Sequence, residues 1–384
     1  MLPREGTFGA NPVRLSGREW LVVLVVMVLV IRLFPDGWAR WESVAYGKNY
    51  RVPYALSKDY WLYERWLGEA TSEDTVFVVG DSVVWGEYVR VDGTLSAFLN
   101  KMSDVPSRFV NAGLNGLFPL ALEGLVRCYG GSIRDRAVLL HCNLLWMTSR
   151  EADLSGAKEQ RFNHPHLVPQ FDPEIPSYRA TLEERLEVVM GRSVRFLGFV
   201  SHLQNAYLDQ KGFYEWTLAD DGDYPPSYPH TYQLPWMVID GVVSGEPQVD
   251  PDRGVNSDRH RSWSSTGVGS QHFDWIPLDT SLQWAAFQRL VRLLRDRGNH
   301  LLVVVGPLNR HIMSPENQTV FDDRSQSVVD WFEGERVPCL VPETLRFDLY
   351  GDASHPLTEG YEKLAASLWD SEAFQTWLQT SSSE

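Results

Sequence analysis

Short apolar runs that are rich in β-branched residues recur along the chain and alternate with segments of helical periodicity. The clearest runs are residues 75–79, 108–110, 137–141 and 301–305. Short runs bounded by turn residues are typical of strands buried on both faces. Strands that alternate with helices indicate βαβ units, so the sequence predicts an α/β fold on a parallel sheet.

Apolar residues at helical spacing fill the segments between these runs. They predict helices over residues 59–70, 95–102, 120–129, 282–297, 326–333 and 361–369. Between Asn143 and about Asp279 the alternation stops. There, a mostly helical stretch over residues 179–208, interrupted by glycines, is followed by sequence rich in Pro, Gly, Tyr and Trp, which predicts an insertion.

The N-terminal region contains an unbroken apolar run over residues 20–31. A membrane-spanning helix needs about 20 apolar residues. The run approaches that length if Arg32 snorkels and the flanking Trp20 and Trp38 lie at the two interfaces. We therefore predict a single-pass membrane anchor over residues 20–38.

Two other interpretations of this segment stay open, a Val-rich buried strand and a cleaved signal peptide. Basic residues occur on both sides of the run, so the positive-inside rule gives only mild support to an orientation. With the N-terminus in the cytoplasm, everything after about Trp38 lies outside it.

The predicted organisation has five parts within the 384 residues. They are a cytoplasmic tail (1–19), the transmembrane anchor (20–38), a linker and first helix (39–74), the α/β domain (75–160 and 280–378) and the aromatic-rich insertion (161–279). The aromatic residues of the insertion are expected either to stack on sugar faces or to fill its core. They are Tyr214, Trp216, Tyr224, Tyr228, Tyr232, Trp236, Trp263 and Trp275.

Charge and cysteine content exclude some classes of function. The formal net charge is -15, and nucleic-acid affinity depends on Lys and Arg neutralising phosphates, so we expect no nucleic-acid partner. Cys128, Cys142 and Cys339 lack the close spacing of a zinc site and are expected to be small buried hydrophobic residues. His164 and His166 have no further ligand at helpful spacing and are expected on the surface of a loop, so no metal or other cofactor is predicted.

Gly80-Asp81-Ser82 directly follows the first predicted strand. A serine at a strand-to-helix turn presents its hydroxyl at the carboxyl edge of the sheet, where open α/β folds place their sites. Taken alone, Ser82 is better explained as a helix cap.

Asp352 and His355 lie three residues apart, just before the last predicted helix. A hydroxyl becomes a good nucleophile when a base accepts its proton, and an imidazole base needs a carboxylate to hold its tautomer and stabilise its cation. This pair could supply both functions, although a capping turn explains it too.

Gly116 and Asn143 follow the second and third predicted strands. A tetrahedral oxyanion needs fixed donors, commonly a backbone amide and a side-chain amide. Gly116 suits the first of these functions and Asn143 the second.

Four sequence blocks carry these residues, in the chain order Ser82, Gly116, Asn143 and Asp352 with His355. These blocks, each placed at the carboxyl end of a strand, resemble the SGNH (GDSL-like) hydrolase superfamily. The resemblance implies a three-layer αβα, flavodoxin-like fold. It also implies that Ser82 is the nucleophile, His355 the general base and Asp352 its orienting partner. The amides of Ser82 and Gly116 and the side chain of Asn143 would form the oxyanion hole.

The first block continues as Val83-Val84-Trp85-Gly86 rather than with the usual Leu. This form, together with the N-terminal apolar segment, is similar to membrane-anchored extracytoplasmic SGNH proteins linked to O-acylation of cell-surface polymers. The likeness implies a membrane-bound acyl-transfer partner. Asn309 and Trp85 are candidates to line the pocket, although a loop-structuring role is the favoured interpretation of Asn309.

The leading hypothesis is a serine esterase or O-acyltransferase that forms a covalent acyl-serine and acts on an ester-bearing carbohydrate or cell-surface polymer. The rival hypothesis is a non-catalytic protein of the same fold that binds or assembles a polysaccharide. Reactivity of Ser82 distinguishes the two.

Overall fold

The computed structural model describes residues 15–160, 163–208, 238–239, 262–265 and 269–381. Seven strands lie in these ranges: β1 (Ser43–Val44), β2 (Val76–Val79), β3 (Phe109–Asn111), β4 (Ala137–Cys142), β5 (Val238–Ile239), β6 (His300–Val305) and β7 (Cys339–Leu340). Five of them form one parallel sheet in the order β3-β2-β4-β6-β7. This is the 2-1-3-4-5 order of doubly wound sheets. The α/β class and the parallel sheet are confirmed.

Eleven α-helices lie in the described ranges. They are α1 (Gly17–Trp41), α2 (Tyr60–Ala70), α3 (Ser82–Trp85), α4 (Leu95–Met102), α5 (Pro119–Tyr129), α6 (Leu182–Ser193), α7 (Arg195–Tyr207), α8 (Leu282–Asp296), α9 (Pro315–Glu335), α10 (Thr358–Trp369) and α11 (Glu372–Thr380). Polar side chains begin several of them by accepting a backbone N–H. The Thr94 hydroxyl accepts from Ala97, and the Ser281 hydroxyl accepts from Trp284.

Alternate residues of each central strand face opposite sides of the sheet, and helices cover both sides. Phe77 and Val79 of β2 share a buried core with α2, α5 and α8. Val76 and Val78 share another core with α4, α10 and α11. Because both faces of the sheet are covered, the sequences of the strands are continuously apolar and do not alternate between apolar and polar residues.

Several predicted elements differ from the observed ones. Helix α9 begins eleven residues before the predicted start at 326, because Ser314 caps it and Pro315 occupies its first turn. The predicted stretch over 179–208 is two helices that break at Val194 and contain Gly191 and Gly198 inside them. Helix α11 and strand β7 were not predicted.

Residues on both sides of the predicted insertion boundary at residue 161 share one buried core. Leu167, Val168 and Tyr207 belong to the same buried core as one face of the sheet. Trp263 and Trp275 are partly buried and pack against core residues. Six other aromatic residues of the insertion lie outside the described residues: Tyr214, Trp216, Tyr224, Tyr228, Tyr232 and Trp236.

His164 corrects another prediction, because it is buried rather than exposed. Its Nε2 donates to the carbonyl of Asn115 at 2.8 Å, and its Nδ1 accepts from the hydroxyl of Tyr60 at 2.9 Å. Burial lowers the pKa of His164 to about 4, although the hydrogen bond to Asn115 opposes this effect. His164 is therefore neutral, and its hydrogen bond to Asn115 supports the loop that follows β3.

Helix α1 is long and apolar enough to cross a membrane. It exceeds the predicted anchor over 20–38 at both ends, beginning after a capping box formed by Ser16 and Glu19. Its large apolar residues from Trp20 to Val30 are exposed. The interpretation of this segment as a buried strand is therefore wrong.

Candidate active site

The turn that carries Ser82 is built by the end of β2. Val79 pairs with Leu140 of the neighbouring β4, so the residues that follow these two strands emerge side by side. The carboxylate of Asp81 accepts the backbone N–H of Val83 at 2.9 Å and begins the single turn of α3. Ser82 is thus the first residue of a short helix at the switch point of the sheet, where doubly wound folds bind their ligands.

Ser82, His355 and Asp352 form one hydrogen-bonded chain. The Oγ of Ser82 lies 2.7 Å from Nε2 of His355. The Nδ1 of the same ring lies 2.8 Å from each carboxylate oxygen of Asp352. Since Nδ1 donates to the carboxylate, Nε2 of the neutral ring is the atom that can accept the serine proton.

The Asp352 carboxylate is oriented by further donors. Its Oδ1 accepts the backbone N–H groups of Ser354 at 2.9 Å and His355 at 3.0 Å. Its Oδ2 accepts the hydroxyl of Tyr88 at 3.0 Å, and the Tyr88 ring lies edge-on to His355. The turn therefore presents the carboxylate to the imidazole in a single orientation.

A second carboxylate lies beside the imidazole of His355. Oε2 of Glu87 is 3.4 Å from Nε2 of His355, the same nitrogen that faces Ser82. Burial alone would lower the pKa of His355, but the adjacent Asp352, followed by Glu87 and Asp81, raises it to about 9. Burial alone would raise the pKa of Asp352, but the imidazole of His355 and the backbone N–H groups of Ser354 and His355 hold it well below its usual range.

The segment after α3, which carries Glu87 and Tyr88, is held by a buried cation. The guanidinium of Arg51 donates to the carbonyls of Trp85, Gly86 and Val89. It also lies 4.0 Å above the ring of Trp85. Burial lowers the pKa of Arg51 to about 9, and three carbonyl acceptors compensate for its desolvation.

The two candidate pocket residues, Trp85 and Asn309, both make buried contacts. Trp85 is buried, and its Nε1 donates to the carbonyl of Val52 at 2.7 Å. Asn309 is fully buried and ties the loop after β6 to the Asp352 turn. Its side chain donates to the carbonyl of Asp352 at 3.1 Å, and its backbone N–H donates to that of Ala353 at 2.8 Å. Both residues support the site from beneath.

Asn143 lies next to the serine turn. Its Nδ2 donates to Oδ2 of Asp81 at 3.0 Å, and its Oδ1 accepts the backbone N–H of Leu145 at 3.0 Å. These bonds use one of the two Nδ2 hydrogens, and the other has no acceptor among the described residues. Burial alone would raise the pKa of Asp81, but the adjacent His141, His355 and Asn143 lower it. Asn143 is thus anchored to an ionised carboxylate.

The loop after β3 brings Gly116 to the same edge of the sheet. A side chain at Gly113 would meet the backbone nitrogen of Trp85 at 2.6 Å, so the loop lies directly against the turn of Ser82. Gly116 has a φ of +74°, which favours glycine, and a side chain there would meet Asn163. Across the described ranges, the amides of Ser82 and Gly116 have no hydrogen-bond acceptor.

The residues predicted from the four blocks therefore lie together: three in direct contact, with Asn143 and the Gly116 loop against the serine turn. Glu87, Tyr88 and Arg51 were not among the predicted residues. Gly86, which ends α3 with a φ of +88°, was the only sequence signal near them. A glycine at that position predicts a turn, but it does not indicate which of the following side chains contact the site.

Comparison with protein-family models finds no model that matches this chain. Comparison with curated proteins finds no significant match. The function is therefore argued from the geometry of the site.

Proposed function

We propose that the protein is a serine esterase or O-acyltransferase of the SGNH kind that acts on an acyl ester of a carbohydrate or cell-surface polymer. The observation that carries the proposal is the chain from Ser82 Oγ through His355 to Asp352, with contacts of 2.7 and 2.8 Å. A protein that only binds polymer would have no use for a nucleophile, a base and an orienting carboxylate in series.

In the acylation step, Oγ of Ser82 attacks the acyl carbon and Nε2 of His355 takes the hydroxyl proton. The carboxylate of Asp352 stabilises the imidazolium that forms. The amides of Ser82 and Gly116 and the second Nδ2 hydrogen of Asn143 are the donors available to the oxyanion. Collapse of the tetrahedral intermediate breaks the ester bond, and His355 returns its proton to the departing alkoxide.

In the second step, water or an acceptor hydroxyl gives its proton to His355 and attacks the acyl-serine. The acyl group then leaves Ser82, and His355 reprotonates the serine oxygen. Hydrolysis and transfer share the acyl-serine and differ in the attacking hydroxyl. Product analysis with a candidate acceptor sugar distinguishes a free acid from a new sugar ester.

The proposal extends to the cellular location. Helix α1 has the length and composition of a membrane anchor, and we propose that the domain that follows lies outside the cytoplasm. A substrate polymer at the cell surface and a membrane-bound acyl-transfer partner would then be within reach of Ser82.

Replacement of Ser82 tests the chemistry. In the purified full chain, Ser82→Ala should reduce turnover of a small aryl acetate by about a thousand-fold or more, because loss of a triad member has that effect. A fluorophosphonate probe should label the unmodified protein once and should not label this variant.

Ser354→Ala is the matched control. The Ser354 hydroxyl lies in the same turn as His355, is buried and has no hydrogen-bond partner in the described part of the chain. Its backbone bond to Asp352 does not depend on the side chain. Turnover should therefore persist in this variant. Equal turnover by Ser82→Ala and the unmodified chain would refute the proposal, and polysaccharide binding without Ser82 labelling would favour the non-catalytic alternative.

A further inference from the structure

Helix α6 exposes an apolar stripe that no other described part of the chain covers. Its members recur at helical spacing and continue to the start of α7. They are Leu182 (66% exposed), Leu186 (46%), Val189 (36%), Met190 (53%), Val194 (38%) and Leu197 (39%). The first four lie along one edge of α6, and the last two lie at and just after the break between α6 and α7. Exposed apolar patches on proteins mark interaction surfaces.

The other two faces of α6 have clear functions. Val188 is buried, and the guanidinium groups of Arg185 and Arg192 donate to carbonyls of residues 166–170, so one face is fixed to the domain. Glu183, Glu184 and Glu187 are exposed on a second face. The apolar stripe is the third face. The contacts that hold α6 to the domain do not involve it.

The start of α7 is joined to α1 just where the apolar part of α1 ends. Arg195 forms an ion pair with Asp36 at 2.8 Å. The ring of Phe199 packs edge-on against Phe34 and Trp38, with centroids 5.7 and 5.6 Å apart. The stripe residues Val194 and Leu197 flank Arg195 and therefore lie close to this end of α1.

The length of the apolar part of α1 places this joint at a bilayer surface. From Trp20 to Phe34 the helix rises about 22 Å, whereas the hydrocarbon core of a bilayer is about 30 Å thick. If α1 crosses the bilayer, the hydrocarbon extends to about the level of Asp36 and Arg195. Apolar side chains beside that pair are then covered by lipid rather than by water.

We propose that the apolar stripe of α6 and the start of α7 lies in the interfacial region of the same phospholipid bilayer that α1 crosses. The stripe has the apolar face of an interfacial helix, and the exposed glutamates on the neighbouring face of α6 would point to water. Contact at both α1 and α6 would hold the domain against the membrane instead of leaving it on a single tether. This inference depends on α1 as an anchor and not on the chemistry at Ser82.

Site-directed labelling of the full chain tests this proposal. Cys128 and Cys339 are first replaced by Ser, while Cys142 is buried with its pKa raised well above the usual value and does not react. An environment-sensitive fluorophore is then attached to Leu186→Cys or Met190→Cys, and the protein is reconstituted in phosphatidylcholine vesicles. Glu187→Cys, on the acidic face of the same helix, is the matched control.

Labels on the stripe should shift to shorter emission wavelength in vesicles and lose most of their intensity when the lipids carry brominated acyl chains. The control label should do neither. Water-like emission from both stripe labels would overturn the proposal. A blue shift that is insensitive to brominated lipid and fades as protein is diluted in the membrane would overturn it in favour of a second copy of the chain. Circular dichroism and the thermal transition verify that each variant is folded.

Discussion

At the scale of single residues, the charge around His355 decides how the site responds to pH. The imidazole faces Asp352 on one side and Glu87 on the other, and Asp81 lies in the adjoining turn. Three carboxylates stabilise the imidazolium, but the proposed mechanism needs a neutral imidazole to accept the proton of Ser82. The raised pKa of His355 therefore favours the protonated imidazole at neutral pH.

This arrangement predicts an alkaline activity profile. Because the pKa of His355 is raised to about 9, kcat/KM for an aryl acetate should increase with pH and level off above about pH 9. Glu87→Gln removes one negative charge next to Nε2, destabilises the imidazolium and should shift the rising limb to lower pH. Stopped assays across the pH range measure the shift.

Glu359→Gln is the control for this change, since the Glu359 side chain is 60% exposed and pairs with Lys363. Its profile should overlie that of the unmodified chain. An unshifted limb in Glu87→Gln would show that Glu87 does not act on the base electrostatically.

At the scale of secondary-structure elements, a buried cluster joins α1, α2 and α7. Nδ1 of His202 lies 2.7 Å from Asp59, which caps α2, and its Nε2 lies 2.8 Å from Glu42, which follows α1. Glu42 also accepts the hydroxyl of Tyr207 at 2.6 Å and pairs with Arg65. The side chains of His202, Glu42 and Asp59 have no exposed surface, so their charges compensate one another within the protein.

The cluster makes a contribution to stability that depends on pH. Burial alone would lower the pKa of His202, but Asp59 and Glu42 raise it from 6.5 to about 9. A raised pKa in the folded state stabilises the fold below about pH 6.5, and this stabilisation is lost as the pH rises through about 9. His355 acts in the same direction, so a substitution is needed to separate the two.

His202→Gln should lower the free energy of unfolding at neutral pH by about 3 kcal/mol, because it leaves two buried carboxylates with less compensation. The difference in Tm between this variant and the unmodified chain, measured in detergent, should shrink from pH 6.5 to 9. His272→Gln, at a position 70% exposed, should not change Tm. If the Tm difference stayed constant from pH 6.5 to 9, it would contradict the assignment of this pH dependence to His202.

At the scale of the whole molecule, the buried cluster around Glu42 attaches the end of α1 to α7 of the domain. Trp38 near the end of α1 packs against Phe199 and Tyr207 of α7. The orientation of α1 in a membrane would therefore set the side on which the site lies.

Reporter fusions test on which side of the membrane the site lies. Alkaline phosphatase, which is active outside the cytoplasm, should be active when fused after residue 381 in cells of a Gram-negative bacterium. The same enzyme fused after residue 16, ahead of α1, should be inactive. The reverse pattern would place the site in the cytoplasm and exclude a cell-surface polymer as its substrate.

Local pattern was enough to predict the α/β class, most strands and the serine and histidine turns. Strand burial on both faces makes runs such as residues 75–79 continuously apolar, and a turn at the end of a strand needs small or polar residues such as Gly80 and Asp81. These signals lie within a few residues of the feature that they predict. Helix α9 was placed too late because its first turns are polar, with the cap at Ser314 rather than an apolar face marking its start.

Contacts between distant parts of the chain were decided by the tertiary structure alone. Nothing local links Glu87 to His355, Asn309 to the carbonyl of Asp352, or His202 to Glu42, and burial of His164 depends on Tyr60. Such pairs depend on strand order and on how the helices pack, which a pattern of neighbouring residues does not encode. The sequence by itself therefore determined which chemical groups this protein carries to one edge of its sheet, and the packing of the folded chain decided which of them touch.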